Sequence, residues 1–519
     1  MKPWPVICAR VAALALWAAG MPWADAVETA AEAVQASCYN ARTGGALEIP
    51  AWSELRRKLE PLWPLAGTPA GAERIMDTVL AHGREHGWPV MEVEAPEEIA
   101  PGCWRLAIFP GVVSGMSLAG GSAWTRAAVA SDWARHIGQP LSTNAIAEWL
   151  DWLHRNPLRQ GTLSFEPGAE PATAEGLLTL HSEKNARMFS TWRNDGVDPL
   201  GQHRFSLGLE VGDPGGLPAW LSVEGLAGDN PEEYAGARGQ ARFFLPWHHE
   251  LRLGGGWTQA EIDGFLPGLA LTSSLHSWDV MARYVVPLGK MGGWKWEAGA
   301  GVDFRRTTSG VSVAGLVVEG TADSARAVAE LLLERTGAAN ETVLLAQGFA
   351  SPGGITAYQG DAEASLLRAG AEADYAGGRL DLWSRQEMPG GWSVAARGAA
   401  QWLSAPVLPT EQLGMTGAQA VRGFDEAVVL ADSGVWGGVE LHAPLWAPEI
   451  WRRGVAVDPL IFADAGWGRD AAGDEETSLA SAGVGLRARW AGHLSLALDY
   501  GWRLTEPGGR LHLSLRMTF

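Results

Sequence analysis

The sequence is poor in the features that mark a disulfide scaffold, a nucleic-acid-binding protein or a helical membrane protein. Its 519 residues include three cysteines, and 40 Lys and Arg face 59 Asp and Glu, which gives a net charge of −19. This acidic balance argues against general nucleic-acid binding, which needs a basic face. After the first 26 residues, no stretch offers the roughly 20 uninterrupted apolar residues of a spanning helix. If the mature chain lies in a membrane, it must therefore do so as a closed sheet, because lipid cannot satisfy open sheet edges.

The first residues are typical of a secretory signal. Lys2 and Arg10 supply positive charge, residues 11–23 are apolar, and residues 24–26 (Ala-Asp-Ala) fit a small-residue cleavage site. An uncleaved anchor is the alternative, but the apolar run is too short to span a bilayer. We therefore expect residues 1–26 to be removed.

The cysteines leave two possibilities for the mature chain. Cys8 lies in the signal, which leaves Cys38 and Cys103 in an oxidising compartment. Either a disulfide joins them or both stay as free buried thiols, since spacing alone does not decide bridge geometry.

Glycine and tryptophan are what the chain has in excess. There are 66 Gly and 27 Trp residues, and average Gly usage is only about 7%. Glycine suits tight turns and crowded positions within sheets, and tryptophan suits the interface between membrane and water. Both favour a membrane-embedded sheet.

Residues 27–45 form an N-terminal segment, and two small α+β units are predicted after it, at 46–112 and 113–184. Each combines amphipathic helical periodicity with short apolar strands. The predicted helices are 70–86 in the first unit and 124–136 and 145–154 in the second. The predicted strands are 90–93 and 104–108, then 113–118, 163–165 and 176–180.

From residue 185 to 519 the pattern changes to segments of about ten residues that alternate apolar and polar side chains, as in transmembrane barrels. In residues 483–490, Val484 and Leu486 share one face while Arg487 and Arg489 share the other. Arginines facing lipid would be costly, so the charged face is predicted to line a polar lumen. We count about sixteen strands. Residues 325–335 have helical propensity, and we interpret them as a strand or an extracellular insertion.

Three motifs stand near the C-terminus. The last strand alternates apolar residues and ends on Phe519, although an ordinary edge strand would look similar. Residues 421–424 read Val-Arg-Gly-Phe, and residues 462–466 read Phe-Ala-Asp-Ala-Gly. The terminal strand resembles the C-terminal signal of bacterial outer-membrane proteins. The two internal motifs, in this order before the closing strands, resemble the POTRA–barrel superfamily.

Within that superfamily the chain is most similar to the hemolysin secretion/activation type, the two-partner-secretion transporters. Residues 87–90 (Gly-Trp-Pro-Val) with the Pro-Gly at 110–111 resemble the family's first POTRA unit, and residues 156–159 (Asn-Pro-Leu-Arg) resemble its second. Residues 408–413 match the approach to the Val-Arg-Gly-Phe loop. One departure is visible, because the family usually has Gly-Gly before this motif and this chain has Thr416-Gly417.

The resemblance implies a transmembrane β-barrel preceded by two periplasmic POTRA-type domains, in the bacterial outer membrane. It implies that the loop carrying Arg422 folds into the lumen and that Arg422 pairs with Asp464, since a lumenal arginine needs a carboxylate partner. The motif residues given a site role are Val421, Arg422, Gly423, Phe424, Phe462, Asp464 and Gly466. The partners implied are a secreted exoprotein, outer-membrane lipid and the barrel-assembly machinery, with no nucleic acid. An extended segment of the exoprotein would add to a POTRA sheet edge.

Other functions are weighed against this one. A barrel-assembly insertase of the same superfamily usually carries more POTRA units, and a passive porin would lack the lumenal loop and the periplasmic domains. Residues 82–86 (His-Gly-Arg-Glu-His) match a zinc-peptidase pattern, but no third ligand is evident and cationic side chains are favoured at a helix C-terminus anyway. We therefore predict no metal, no cofactor and no enzymatic activity.

Overall fold

The computed structural model describes residues 51–100, 103–139, 142–170, 173–181, 184–197, 200–263, 271–313, 316–446 and 454–519. The signal peptide, the 27–45 segment and Cys38 lie outside the described residues. The helices are α1 (Trp52–Leu59), α2 (Pro69–Glu85), α3 (Ala123–Trp133), α4 (Thr143–Leu153) and α5 (Asp361–Leu367). Among the residues described, no helix combines the length and the apolar character needed to cross a membrane.

The chain divides into two compact units, Met1–Asn185 and Ala186–Phe519. The strands of the first unit are β1 (Met91–Val93), β2 (Glu97–Ala100), β3 (Cys103–Arg105), β4 (Ile108–Pro110), β5 (Val112–Gly120), β6 (Gly161–Pro167) and β7 (Thr173–Leu180).

The first module of this unit packs α1 and α2 against two small antiparallel pairs, β1–β4 and β2–β3. Helix α2 begins where the Thr68 hydroxyl accepts a hydrogen bond from the Gly71 amide. It ends beside Gly87, whose φ of 84° suits glycine. The single strand predicted at 104–108 is wrong. Leu106, Ala107 and Ile108 are consecutive and all buried, which strand alternation does not allow, so the chain turns between β3 and β4.

The second module has the order β5–β7–β6, with β5 parallel and β6 antiparallel to β7. Helices α3 and α4 cover one face. Ser122 and Ser142 cap these helices by accepting amide hydrogen bonds. Trp133 and Trp149 meet edge to face, with ring centroids 4.7 Å apart, in the core above Leu178.

The strands of the second unit are β8 (Ala186–Arg193), β9 (Arg204–Gly212), β10 (Ala219–Ala227), β11 (Tyr234–Phe244), β12 (Glu250–Asp263), β13 (Leu271–Met291), β14 (Trp294–Val313), β15 (Leu316–Thr336), β16 (Asn340–Pro352), β17 (Asp374–Glu387), β18 (Ser393–Leu403), β19 (Leu413–Gly414), β20 (Leu430–Ala431), β21 (Ser433–His442), β22 (Val455–Asp470), β23 (Glu475–Trp490), β24 (Leu494–Arg503) and β25 (Gly509–Thr518).

In the described part of this unit, sixteen of these strands close into one barrel. Strands β8 to β18 and β21 to β25 follow one another around it, each antiparallel to its neighbours. The barrel closes where β25 pairs with β8, from Ser514 opposite Arg193 to Thr518 opposite Phe189. The predicted transmembrane barrel and its strand number are therefore confirmed.

Alternation along each strand separates an apolar outside from a polar inside. In β9, Phe205, Leu207 and Leu209 are 46%, 58% and 38% exposed, whereas the intervening Ser206 and Glu210 are buried. Large apolar side chains left exposed in a closed sheet are what a lipid-facing surface requires. On the lumenal face, Arg487 of β23 donates to both carboxylate oxygens of Asp499 of β24 at 2.7 and 2.9 Å, as the sequence pattern predicts.

Residues 325–335 lie inside β15, which pairs with β14 on one side and β16 on the other. The strand interpretation is confirmed, and the alternative of an extracellular insertion is wrong. Helical propensity amounts to a few tenths of a kcal/mol per residue, whereas two flanking ladders satisfy the whole backbone. The inserted segment of this region is instead residues 353–373, which contain α5.

Candidate functional site

One long connection, residues 404–432 between β18 and β21, folds back inside the barrel; we call it the lumenal loop. Its side chains and backbone meet groups on strands spread around the barrel wall. These strands are β14, β15, β18, β21, β22, β24 and β25. A loop in contact with so many strands occupies the lumen, and it is the candidate functional site.

Arg422 of the lumenal loop is held by Asp464 of β22. Its Nε and Nη2 donate to the two carboxylate oxygens of Asp464 at 2.7 and 2.9 Å, and its backbone amide donates to one of them at 3.1 Å. Both residues are almost fully buried, at 1% and 3% exposure. The structure thus brings together the two residues that the sequence motifs single out, in a bidentate geometry specific to arginine.

The third nitrogen and the flat face of the Arg422 guanidinium also have partners. Nη1 donates to Glu440 of β21 at 2.6 Å and lies 3.7 Å from Asp499 of β24. The ring of Phe462 lies beneath the guanidinium, with 3.4 Å between Cζ and the ring centroid. Burial by itself would lower the pKa of Arg422, but the hydrogen bonds and charge of Asp464, followed by Glu440, raise it. The arginine therefore stays charged and binds three strands at once.

Gly423 permits a close approach between the loop and the wall. Its φ of 90° suits glycine, and a Cβ there would lie 2.8 Å from the carbonyl oxygen of Gly501. Its amide donates to Nε2 of His512 at 3.1 Å, and its carbonyl accepts from Nε of Arg503 at 2.7 Å. Because Nε2 of His512 accepts this bond, it carries no proton.

The other motif residues form an apolar contact between loop and wall. Val421 and Phe424 are buried in a cluster with Met415 and Leu413. In the neighbouring wall, Gly466 leaves room for this cluster, since a Cβ there would lie 3.0 Å from Cε of Met415 and 3.3 Å from Cγ2 of Val421. The glycine of the Phe-Ala-Asp-Ala-Gly motif therefore makes space for the loop.

The Thr416-Gly417 departure has a clear structural role. The Thr416 hydroxyl accepts hydrogen bonds from the amides of Val428 and Val429 at 3.1 and 3.2 Å. Gly417 keeps the backbone conformation that glycine favours, with a φ of 118°. The threonine thus joins the two arms of the loop where the family pattern has a second glycine.

A second group of ion pairs fastens the start of the loop to another part of the barrel wall. Glu411 accepts from Arg305 of β14 at 3.1 Å and from Arg326 of β15 at 2.6 Å. Gln401 of β18 donates to the Glu411 carbonyl at 3.0 Å. The start of the loop is therefore held by β14, β15 and β18.

A third ion pair joins the lumenal loop to the 353–373 segment. Arg368 donates to both oxygens of Asp432 at 2.7 Å and to Asp470 of β22 at 2.7 Å. Asp432 also accepts from the amides of Val407 and Ala471. The lumenal loop and the 353–373 segment are thus held together.

Sequence reasoning identified Arg422 and Asp464 but missed Glu440, Glu411 and the Arg368–Asp432 pair. The position of Glu440 in the lumen could have been inferred from the sequence, because Glu440 alternates with the outward-facing Val439 along β21. Glu411 and Arg368 lie in irregular segments, where no periodicity indicates which way a side chain points.

The remaining site predictions concern the termini. The backbone amide of Phe519 donates to the carbonyl of Met188 at 2.9 Å, so the last residue continues the closure of β25 onto β8. Its ring is 63% exposed. The pairing of Cys38 with Cys103 lies outside the described residues.

Residues 339–488, which span β16 to β23 and both motifs, match the family model described as "Haemolysin secretion/activation protein ShlB/FhaC/HecB". Among solved structures, CdiB from Escherichia coli aligns with a TM-score of 0.73 at 14% identity, over 92% of this chain and 89% of that one. CdiB from Acinetobacter baumannii gives 0.65 at 13%, over 92% and 88%. BamA from Haemophilus ducreyi lacking POTRA domains 1–3 gives 0.50 at 11%, over 92% and 99%. No curated protein sequence matches the chain.

Proposed function

We propose that this chain is a member of the hemolysin secretion/activation protein family and the outer-membrane transporter of a two-partner secretion pair, which passes a secreted exoprotein through its barrel. The observation that carries the proposal is the lumenal loop, anchored to the wall by the buried Arg422–Asp464 pair. A loop that fills a lumen and is fixed by a few ion pairs can be displaced as a unit without unfolding the barrel.

The two N-terminal modules are proposed to be periplasmic POTRA domains, 46–112 and 113–184, that recognise the exoprotein. In the second module β7 is the central strand. The outer edge of β5 is partly covered, because the amide of Val113 donates to the carbonyl of Gln139. Among the described residues, β7 is the only strand that pairs with β6. The carbonyl oxygen of Gly161 at the start of β6 lies 3.2 Å from Nε2 of His154, and the outer edge beyond it is available. An extended segment of the exoprotein would add to β6 through backbone hydrogen bonds, which give affinity without strict sequence demands.

Transport would require the lumenal loop to leave its position, and its ion pairs set the energy of that step. The charged anchors are guanidinium–carboxylate contacts, which can reform after the exoprotein has passed. Folding of the exoprotein outside the cell would give the process its direction.

The two remaining partners follow from the barrel wall. The exposed apolar side chains of the outer face would contact outer-membrane lipid. The terminal strand β25, ending on Phe519, would be the segment that the barrel-assembly machinery reads during insertion. Neither role calls for a cofactor or for enzymatic chemistry.

An assembly insertase is the second candidate, because the BamA barrel shares the fold. A porin is disfavoured by the loop, since three separate ion-pair groups fix a plug across the lumen. The two candidates differ in what the cell loses when this protein is deleted. Loss of an insertase would deplete many outer-membrane proteins, whereas loss of a transporter would stop the secretion of one exoprotein.

The test is to delete the gene for this chain and compare the culture medium and the outer membrane with those of the parent strain. We expect one large exoprotein to disappear from the medium, other outer-membrane proteins to be unchanged, and wild-type complementation to restore secretion. A general loss of outer-membrane proteins would favour the insertase, and unchanged secretion would refute the transporter.

A further inference from the structure

Three potential metal ligands meet in the first N-terminal module, away from the barrel. Glu54 of α1 lies beside His82 and His86 at the end of α2, and one ligand atom of each lies within 4.8 Å of the others. The sequence pattern at 82–86 supplies two histidines one helical turn apart but no third ligand. Packing of α1 on α2 provides that third ligand from 28 residues upstream of His82.

The tautomer of His86 prepares it for a metal. Its Nδ1 lies 3.0 Å from the carbonyl oxygen of His82, and a carbonyl only accepts, so Nδ1 carries the proton. A backbone carbonyl in this position is the usual outer partner of a metal-bound histidine. Nε2 of His86 is then left with a lone pair that faces Oε2 of Glu54 at 3.6 Å.

Two lone pairs that face each other need a cation between them. Either a second proton on His86 or a metal ion satisfies this requirement. The ring of His82, with its centroid 4.0 Å from that of His86, supplies a further nitrogen donor on the same side. Two nitrogens and one carboxylate oxygen are a ligand set that suits Zn²⁺, with water completing the tetrahedron.

Neighbouring charges are compatible with metal binding. Lys58 contacts Glu54 at 3.0 Å and Glu85 at 2.9 Å, so it keeps a carboxylate partner if Glu54 turns to a metal. Glu85, the acid within the 82–86 pattern, pairs with Lys58, which favours a structural site over a hydrolytic one.

We infer that Glu54, His82 and His86 form a binding site for one Zn²⁺ or a similar divalent transition metal, which joins α1 to the end of α2. Ligand atoms in a tetrahedral zinc site lie about 3.4 Å apart, given bonds of about 2.0–2.2 Å. Glu54 is 41% exposed at its side chain, which leaves it room to turn toward a bound ion.

The test uses the full chain in detergent, purified without a histidine tag, stripped with chelator and titrated with Co²⁺ at neutral pH. We expect one equivalent of Co²⁺ to give the intense visible absorption of a four- or five-coordinate ion, and Zn²⁺ to bleach it. Loss of an outer partner of a metal ligand costs about 10–100-fold in affinity. The ligand variants Glu54→Gln and His86→Gln should each weaken binding by at least that factor.

The matched control is His154→Gln, which removes a histidine from the end of α4 in the second module and should leave the titration unchanged. Circular dichroism of each variant checks that the module has folded. Failure of wild type to take up one equivalent, or equal uptake by His86→Gln, would overturn the site and indicate that a proton bridges His86 and Glu54. Neither outcome bears on secretion, so the result is independent of the proposed transport function.

Discussion

Replacing Arg422 by Gln is expected to release the lumenal loop from the barrel wall. The change removes two side-chain hydrogen bonds to Asp464 and one to Glu440, whereas the hydrogen bond from the backbone amide of residue 422 to Asp464 is retained. Three charge-assisted bonds are therefore lost. Asp464 would keep the hydrogen bond from the backbone amide of residue 422, at 3.1 Å, and the weaker contact with Arg397, at 3.5 Å.

The free-energy cost of losing the Arg422–Asp464 pair follows from its burial. Breaking a buried ion pair by removing one member costs about 3–5 kcal/mol, because the remaining charge is left without compensation. Each 1.4 kcal/mol is a factor of about ten in population. The displaced form of the loop should therefore become roughly a hundredfold to a few thousandfold more populated, provided that the barrel itself, with its sixteen hydrogen-bonded strands, stays folded.

The assay is single-channel conductance of the purified protein in planar bilayers. We expect wild type to open rarely and Arg422→Gln to open far more often. Asp464→Asn should behave similarly, and the double variant should be no worse than the more severe single one, because the two residues act as a pair.

Arg379→Gln is the matched control. Arg379 makes the same bidentate contact, with both bonds at 2.8 Å, but to Asp381 on its own strand. Within the described part of the chain, it forms no hydrogen bond or ion pair with the lumenal loop. It should leave conductance unchanged. If Arg422→Gln opened no more often than this control, the loop would not be held by its ion pair and the reasoning would fail.

Three further outcomes are expected. Gly423→Ala should displace the motif from the wall, because its Cβ would lie 2.8 Å from a backbone carbonyl in a backbone conformation that disfavours alanine; raised protease cleavage within 404–432 would show this. Arg368→Gln should free the 353–373 segment from Asp432 and raise conductance less than Arg422→Gln, because Glu411 and Arg422 still hold the loop. Burial raises the pKa of Glu426 from an ordinary value of 4.5 to about 7, so its contribution to loop stability is full below about pH 4.5 and is lost as pH rises through about 7. Channel opening should accordingly increase across that range, and Glu426→Gln should flatten the dependence; an equally steep profile in the variant would contradict this assignment.

The barrel could be predicted largely from the sequence, because a lipid environment imposes a period-two pattern on every strand. The arginines at 487 and 489 are enough to identify the lumenal face of β23. The short strands of the first module could not be placed in the same way. There, the consecutive burial of residues 106–108 depends on how α1 and α2 pack, and local alternation does not encode it.

The pairing of Arg422 with Asp464 was expected from two short motifs through a family resemblance, not from spacing. Their separation of 42 residues leaves many partners available to a lumenal arginine. Glu440, Glu411 and the Arg368–Asp432 pair were not anticipated, because irregular loops have no periodicity from which side-chain direction can be inferred.

The sequence by itself determined that the second unit presents alternating apolar and polar faces, since that pattern is written into each strand and requires no knowledge of its neighbours. Closure of the sheet then decided what the polar face meets. It brought β21, β22 and β24 around one guanidinium, and in the first unit helix packing placed Glu54 beside two histidines. Both are contacts between residues distant along the chain, and only the tertiary structure fixes such distances.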